Sequence, residues 1–170
     1  YRKLEFDDAY DLIMKTKPEY INSLHRVPIN DIKKIMKPEE SIDRIIQRNE
    51  RVRKLISIFE LPYGSYGCTG SLLCGLENKE SDIDMVVYGD NWYNARAQLI
   101  NAIDDGSINS LSEDMWKKVY NKRVPEISFD TFIIHEKRKY NRGEIDGTYF
   151  VLLFTRSYEQ LNNMPHIKKG

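Results

Sequence analysis

The chain has 170 residues, with 26 Lys plus Arg against 26 Asp plus Glu, 41% hydrophobic and 31% charged residues. That length fits one domain with a core of its own; the even spread of apolar residues excludes a disordered chain, and no apolar run approaches the roughly 18 to 20 residues that span a bilayer. A formal net charge of zero excludes a protein that coats nucleic acid through a cationic surplus, while leaving room for a local basic groove.

Taken in chain order, Ala9, Leu12 and Ile13 fall at helical spacing between Asp7 and Thr16, and Pro18 stops the helix. Asn30 reads as the N-cap of a turn through Ile32, Ile35 and Met36. Pro38 opens the clearest helix, in which Ile42, Ile45, Ile46, Val52, Leu55, Ile56 and Phe59 form one stripe running to about Glu60, with Arg44, Arg48, Arg51 and Lys54 largely off it. After Pro62 and Gly64, a short strand over Tyr66 to Thr69 leads into Gly70 and Ser71, and Leu72, Leu73 and Cys74 make a short helix that Gly75 ends. An internal strand follows over Asp82 to Tyr88, closed by Gly89 and Asp90. Helices are predicted over Trp92 to Ile103 and from Ser112 towards Pro125.

The stretch Ile127 to Tyr140 reads two ways: as a strand alternating Ile127, Phe129 and Ile133, or as a helix capped by Ser128. The helix is preferred, because it leads naturally into the cationic run Lys137, Arg138, Lys139 and Arg142. Thr148 to Thr155 is a third buried strand. The order and type of elements predict an α/β or α+β fold, a small mixed sheet with flanking helices. Residues 1–62 form an N-terminal helical lead packed on the core, 63–157 the core and 158–170 a C-terminal tail of the same compact unit.

Chemistry concentrates in Gly70-Ser71, ten intervening residues, then Asp82-Ile83-Asp84. Acids at i and i+2 of a strand share a face, roughly 6 to 7 Å apart along the chain, so both carboxylates reach one divalent ion. Magnesium suits such a pair, since it takes oxygen ligands and is commonly held by one or two carboxylates plus substrate phosphates. Gly70 and Ser71 supply the complementary half: a glycine turn presents backbone N–H groups and a hydroxyl to a phosphate. A lone DxD or a lone GS carries little information; the combination is hard to explain as packing.

The segment TGSLLCGLENKESDIDMVVYG, Thr69 to Gly89, resembles the signature of the DNA polymerase beta superfamily of nucleotidyltransferases. The wider chain, including NRGEIDGTYF at Asn141 to Phe150, is similar to predicted archaeal nucleotidyltransferases. The resemblance implies a polymerase beta-like core. It makes Asp82 and Asp84 the catalytic metal ligands, with two Mg2+ ions when nucleotide is bound, and makes Gly70 and Ser71 the holders of a nucleoside triphosphate. The implied reaction is attack of an acceptor hydroxyl on the α-phosphate with release of pyrophosphate.

Superfamily members usually carry a third carboxylate on the next core strand. Thr148 to Thr155 contains no acid and has Val151 at its centre; if Ile127 to Ile134 were the strand, Asp130 would fill the position. One reading leaves a metal site incomplete and favours a nucleotide or RNA sensor with little turnover; the other gives normal catalysis. A third option is an antitoxin-type enzyme that modifies a partner protein. The acceptor, whether RNA, DNA or protein, is not encoded in these motifs.

Other features have plainer readings. His25, His135 and His166 are scattered without metal-ligand spacing. Cys68 and Cys74 make neither a disulfide framework nor a zinc pattern, which points to a reducing, cytoplasmic setting. Lys117, Lys118, Lys122 and Arg123, with the later cationic run, read mostly as solvated helix faces, and Arg156 is the first cation to test for phosphate contact. Tyr149, Phe150 and Phe154 read as core rather than as base-stacking platforms. Between Glu77 and Asp114, nine acids face only Lys79 and Arg96, an acidic centre with basic shoulders. The opening Tyr1-Arg2-Lys3 lacks a Met and a leader pattern, as expected of a chain cut from something longer.

Overall fold

Proline, asparagine and serine set most of the element boundaries. The computed structural model describes residues 4, 6–22 and 25–163. The chain divides into two compact units, 1–36 and 37–170. In the first, α1 (Phe6–Thr16) is followed by single 3-10 turns at Pro18–Tyr20 and Ile29–Asp31, and the Tyr20 hydroxyl ties the turns together by donating to Asp31 Oδ2 at 2.6 Å. The predicted turn from Asn30 to Met36 is therefore shorter and starts earlier, with Pro28 rather than Asn30 in the cap position.

In the second unit the predicted single helix from Pro38 to Glu60 is two helices, α2 (Pro38–Arg48) and α3 (Glu50–Phe59). Asn49 breaks them: its backbone is extended at φ −128° and its side chain accepts a hydrogen bond from the Val52 N–H, which satisfies a donor the new helix would otherwise leave orphaned. Both helices bury Ile42, Ile45, Val52, Leu55 and Phe59 in the main core of the second unit.

The remaining elements are β1 (Tyr66–Cys68), α4 (Gly70–Cys74), β2 (Ile83–Tyr88), α5 (Asn91–Asp104), α6 (Glu113–Arg123), α7 (Phe129–Lys137), β3 (Arg142–Ile145), β4 (Thr148–Thr155) and α8 (Tyr158–Asn162). Ser128 caps α7 by accepting from Thr131 N–H, which settles the ambiguous stretch as helix. β3 and α8 are additions to the predicted set. β3 pairs with β4 through Asp146-Gly147, both at positive φ (47° and 72°), the backbone of a two-residue hairpin turn. Ser157 opens α8 with a capping box shared with Gln160, so the predicted tail contains a helix.

The strands form one mixed sheet in the order β1-β2-β4-β3, with β1 antiparallel to β2, β2 parallel to β4, and β3 antiparallel to β4. Period-two alternation gives the sheet two different faces. One carries Ile83, Met85, Val87, Phe150 and Leu152 into the main core with α2, α3 and α5. The other carries Tyr149 and Val151 into a second cluster with Leu111, Trp116 and Phe132, under α6 and α7. Gly67 lets α2 approach β1: a Cβ there would lie 2.3 Å from the Pro38 carbonyl carbon.

Candidate active site

Asp82 and Asp84 flank Ile83 at the start of β2, so with Ile83 buried in the main core the two acids share the opposite face. Both are half-buried. Thr69 N–H donates to the Asp84 carbonyl at 2.8 Å, which extends the β1–β2 pairing up to the turn at Gly70. Gly70 takes φ +62°, and a Cβ there would lie 2.9 Å from Asp84 Oδ2. Only glycine meets both demands, a left-handed backbone and a carboxylate packed against its Cα. The structure thus brings Gly70 and Asp84 together in contact, with Ser71 next along α4 and half-buried. Beneath them the Cys68 thiol is pushed up to about 12 by burial and by the Asp84 charge, so it is no nucleophile.

Three arginines that lie off the apolar stripe hold this turn. Arg48 Nη2 donates to the Leu72 carbonyl at 2.6 Å while its Nε pairs with Glu77 at 2.8 Å; Arg44 Nη2 donates to the Leu73 carbonyl at 3.3 Å. Arg51 donates to the Lys79 carbonyl and to Thr148 Oγ1, tying the loop between α4 and β2 to the start of β4. Cations on the last carbonyls of α4 satisfy acceptors the short helix leaves open. Their signal in the sequence is the spacing 44, 48, 51, although the break at Asn49 puts Arg44 and Arg48 on α2 and Arg51 on α3.

The register decides the third carboxylate. Asp84 is paired with Val151, and Val151 with Arg142, so the row across the sheet is acid, valine, arginine. Asp130 stands exposed in the first turn of α7, off the sheet altogether. Among the described residues no cluster of three His, Cys, Asp or Glu side chains forms a metal-binding set.

The basic residues separate into distinct roles. Lys122 Nζ reaches to 4.0 Å from Asp82 Oδ2, whereas Lys117 pairs with Glu113. Arg123, Lys139 and Arg142 converge on the buried Glu136, with Arg142 Nη2 2.8 Å from its Oε2. Burial would raise the Glu136 carboxyl, but the Lys139 hydrogen bond and the Arg142, Lys139 and Arg123 charges outweigh it and hold the group below its ordinary range. Arg156 follows the far end of β4, where Thr155 pairs with Tyr88, at the opposite end of β2 from the acids. It is not brought to the site. Tyr149 and Phe150 are core, as predicted, while Phe154 is half exposed and stacks edge-on against Trp92. His135 Nδ1 lies 2.7 Å from Arg138 Nη2, and His166 falls outside the described residues.

With a GS turn pressed on the first carboxylates of a mixed sheet, the comparison with known proteins is direct: a family model described as a nucleotidyltransferase domain matches residues 50–147. The chain belongs to the nucleotidyltransferase domain family. That match takes in α3 through β3 and stops short of β4, the strand that carries Val151. The uncharacterized protein MJ1086 of Methanocaldococcus jannaschii is 42% identical over 157 aligned positions, covering 84% of this chain and 46% of that protein, so the chain spans about half its length. No solved structure matches. Membership supports a nucleotidyl-transfer role in general, and the mixed α/β architecture agrees with it. No helix among the described residues is long and apolar enough to cross a membrane.

Proposed function

We propose that this nucleotidyltransferase domain binds a nucleoside triphosphate at Gly70 and Ser71, with divalent metal on Asp82 and Asp84, and transfers its nucleoside monophosphate to an acceptor hydroxyl. The observation that carries this reading is the contact between Gly70 and the Asp84 carboxylate, because it joins the phosphate-binding half of the motif to its acidic half. The donor set fits magnesium: two carboxylate oxygens on one strand face, with the remaining positions open to water and phosphate. When bound, the ion supplies charge neutralisation on the phosphates.

The chain's own groups do the positioning. Backbone N–H groups of the turn and the Ser71 hydroxyl orient the β- and γ-phosphates, which leaves the α-phosphate facing the acids. The acceptor oxygen forms a bond to the α-phosphorus, the bond to the bridging oxygen breaks, pyrophosphate leaves, and the hydroxyl proton passes to solvent. Arg44, Arg48 and Arg51 keep the turn and its loop in register with β2.

Pyrophosphate release from each nucleoside triphosphate, assayed with magnesium and with RNA, DNA and protein acceptors, tests the proposal. Release that disappears in Asp84→Ala is the expected result; no nucleotide binding in any condition overturns it. A second reading, nucleotide binding without turnover, is favoured by Val151 standing beside Asp84 where a third acid would complete the site. Tight binding without release, together with release gained on Val151→Asp, would select that reading.

A further inference from the structure

Asp82 faces one cation of its own chain. On the open side, the Lys122 ammonium from α6 stands 4.0 Å from Asp82 Oδ2 on a side chain that is 79% exposed. On the inner side is Tyr149, adjacent to Phe150, the register partner of Ile83. Arg142 donates to the Tyr149 hydroxyl and pairs with Glu136, its own side chain only 5% exposed. Its Nε has no hydrogen-bond partner.

These surroundings do not suit a second divalent ion. Val151 is 6% exposed within the cluster of Trp116 and Phe132 and offers no lone pair, and the next residue in the row is the guanidinium of Arg142. Hard cations need oxygen ligands, and neither Val151 nor Arg142, the two residues next to Asp84 in the row, supplies one. Two carboxylates balance the charge of one divalent ion; the triphosphate then still lacks neutralisation on the side that α6 overlooks. Lys122 is the group at hand. Its 4.0 Å contact with Asp82 is long and exposed, so it is readily given up, and its flexible stem carries the ammonium over a range of positions at the mouth of the site.

We infer that the site works with one divalent ion, and that Lys122 supplies the second positive charge by leaving Asp82 for the phosphates of the bound nucleotide. This rests on the nucleotide site proposed above. Its partners in the motif are fixed by the sheet, whereas Lys122 is delivered by α6, which packs through Trp116 onto the face that lacks the third acid.

The test counts Mn2+ by electron paramagnetic resonance on the full chain with α,β-methylene analogues of the ribonucleoside triphosphates, and measures analogue affinity by calorimetry in EDTA. The expected results are one Mn2+ per chain, and metal-free affinity that falls about tenfold in Lys122→Ala and is retained in Lys122→Arg, the size of one lost charge-assisted contact. Two Mn2+ per wild-type chain, or metal-free affinity unchanged in Lys122→Ala, would overturn the inference and leave the nucleotide site standing. Mn2+ and analogue binding that is unaffected by Asp82→Ala would sink the site itself and the inference with it. Lys122 is a surface side chain, so its variants keep the fold.

Discussion

The two faces of the sheet are made by the same strands and do opposite work. On the α2–α3–α5 face β2 and β4 bury Ile83, Met85, Val87, Phe150 and Leu152 at 0 to 1% exposed, and the polar Thr148 at the start of β4 is met by Arg51. On the other face Asp84, Tyr149 and Arg142 interrupt the apolar cluster, and the buried Glu136 comes down from α7 to meet Arg142. The first face stabilises the fold mainly by apolar burial. The second carries charge that costs free energy to bury unless paired, and its cations sit beside the acids of the candidate site. One residue of register separates the two roles, since a slip would exchange the faces.

That contrast breaks most visibly in the core. Phe150→Ala removes a ring that touches both Phe59 and the main cluster, and should cost about 3 to 5 kcal/mol in denaturant unfolding. Glu136→Gln leaves Arg142 buried without its counter-charge and should cost about 3 kcal/mol. Because the folded carboxyl lies below its unfolded value, the stability it contributes is present above the ordinary carboxylate range and is lost as pH falls through the folded value. The melting temperatures of wild type and Glu136→Gln should therefore converge on acidification from about pH 6 to pH 3; a constant gap would mean the charge is not what matters.

On the chemical side, Asp84→Ala should reduce pyrophosphate release by more than about a hundredfold, since even an outer-sphere partner of a metal ligand is worth 10 to 100-fold. Its melting temperature should shift less than that of Phe150→Ala, which sharpens the division of labour between faces. Gly70→Ala forces a Cβ onto the Asp84 carboxylate at a positive φ and should cost about 1 to 2 kcal/mol, with weaker nucleotide affinity measured by calorimetry. Arg156→Ala, at the far end of β4, should change nucleotide affinity by less than about twofold.

Most boundaries were legible because they rest on local chemistry. Ser112 and Ser128 cap α6 and α7 where their hydroxyls predict, and β4 runs over Thr148–Thr155 as its apolar run implies. Asn49 was passed over because the apolar stripe continues through it at helical spacing, while the cap acts only at that one residue. β3 has no alternating apolar signal because it is four residues long, with charged Arg142 and Glu144 on one face and only Gly143 and Ile145 facing the core; the Asp146-Gly147 dipeptide is the available clue.

The pairing of GS with DxD, and the family it resembles, could be read from sequence because each half is a contiguous string whose backbone geometry is set by near neighbours. Which residue stands beside Asp84, and which cation reaches Asp82, depended on strand register and on the docking of α6. Val151 is 67 positions from Asp84 and Lys122 is 40 from Asp82. Contacts at that separation are decided by how whole elements bury their apolar faces, so only the tertiary structure decided them.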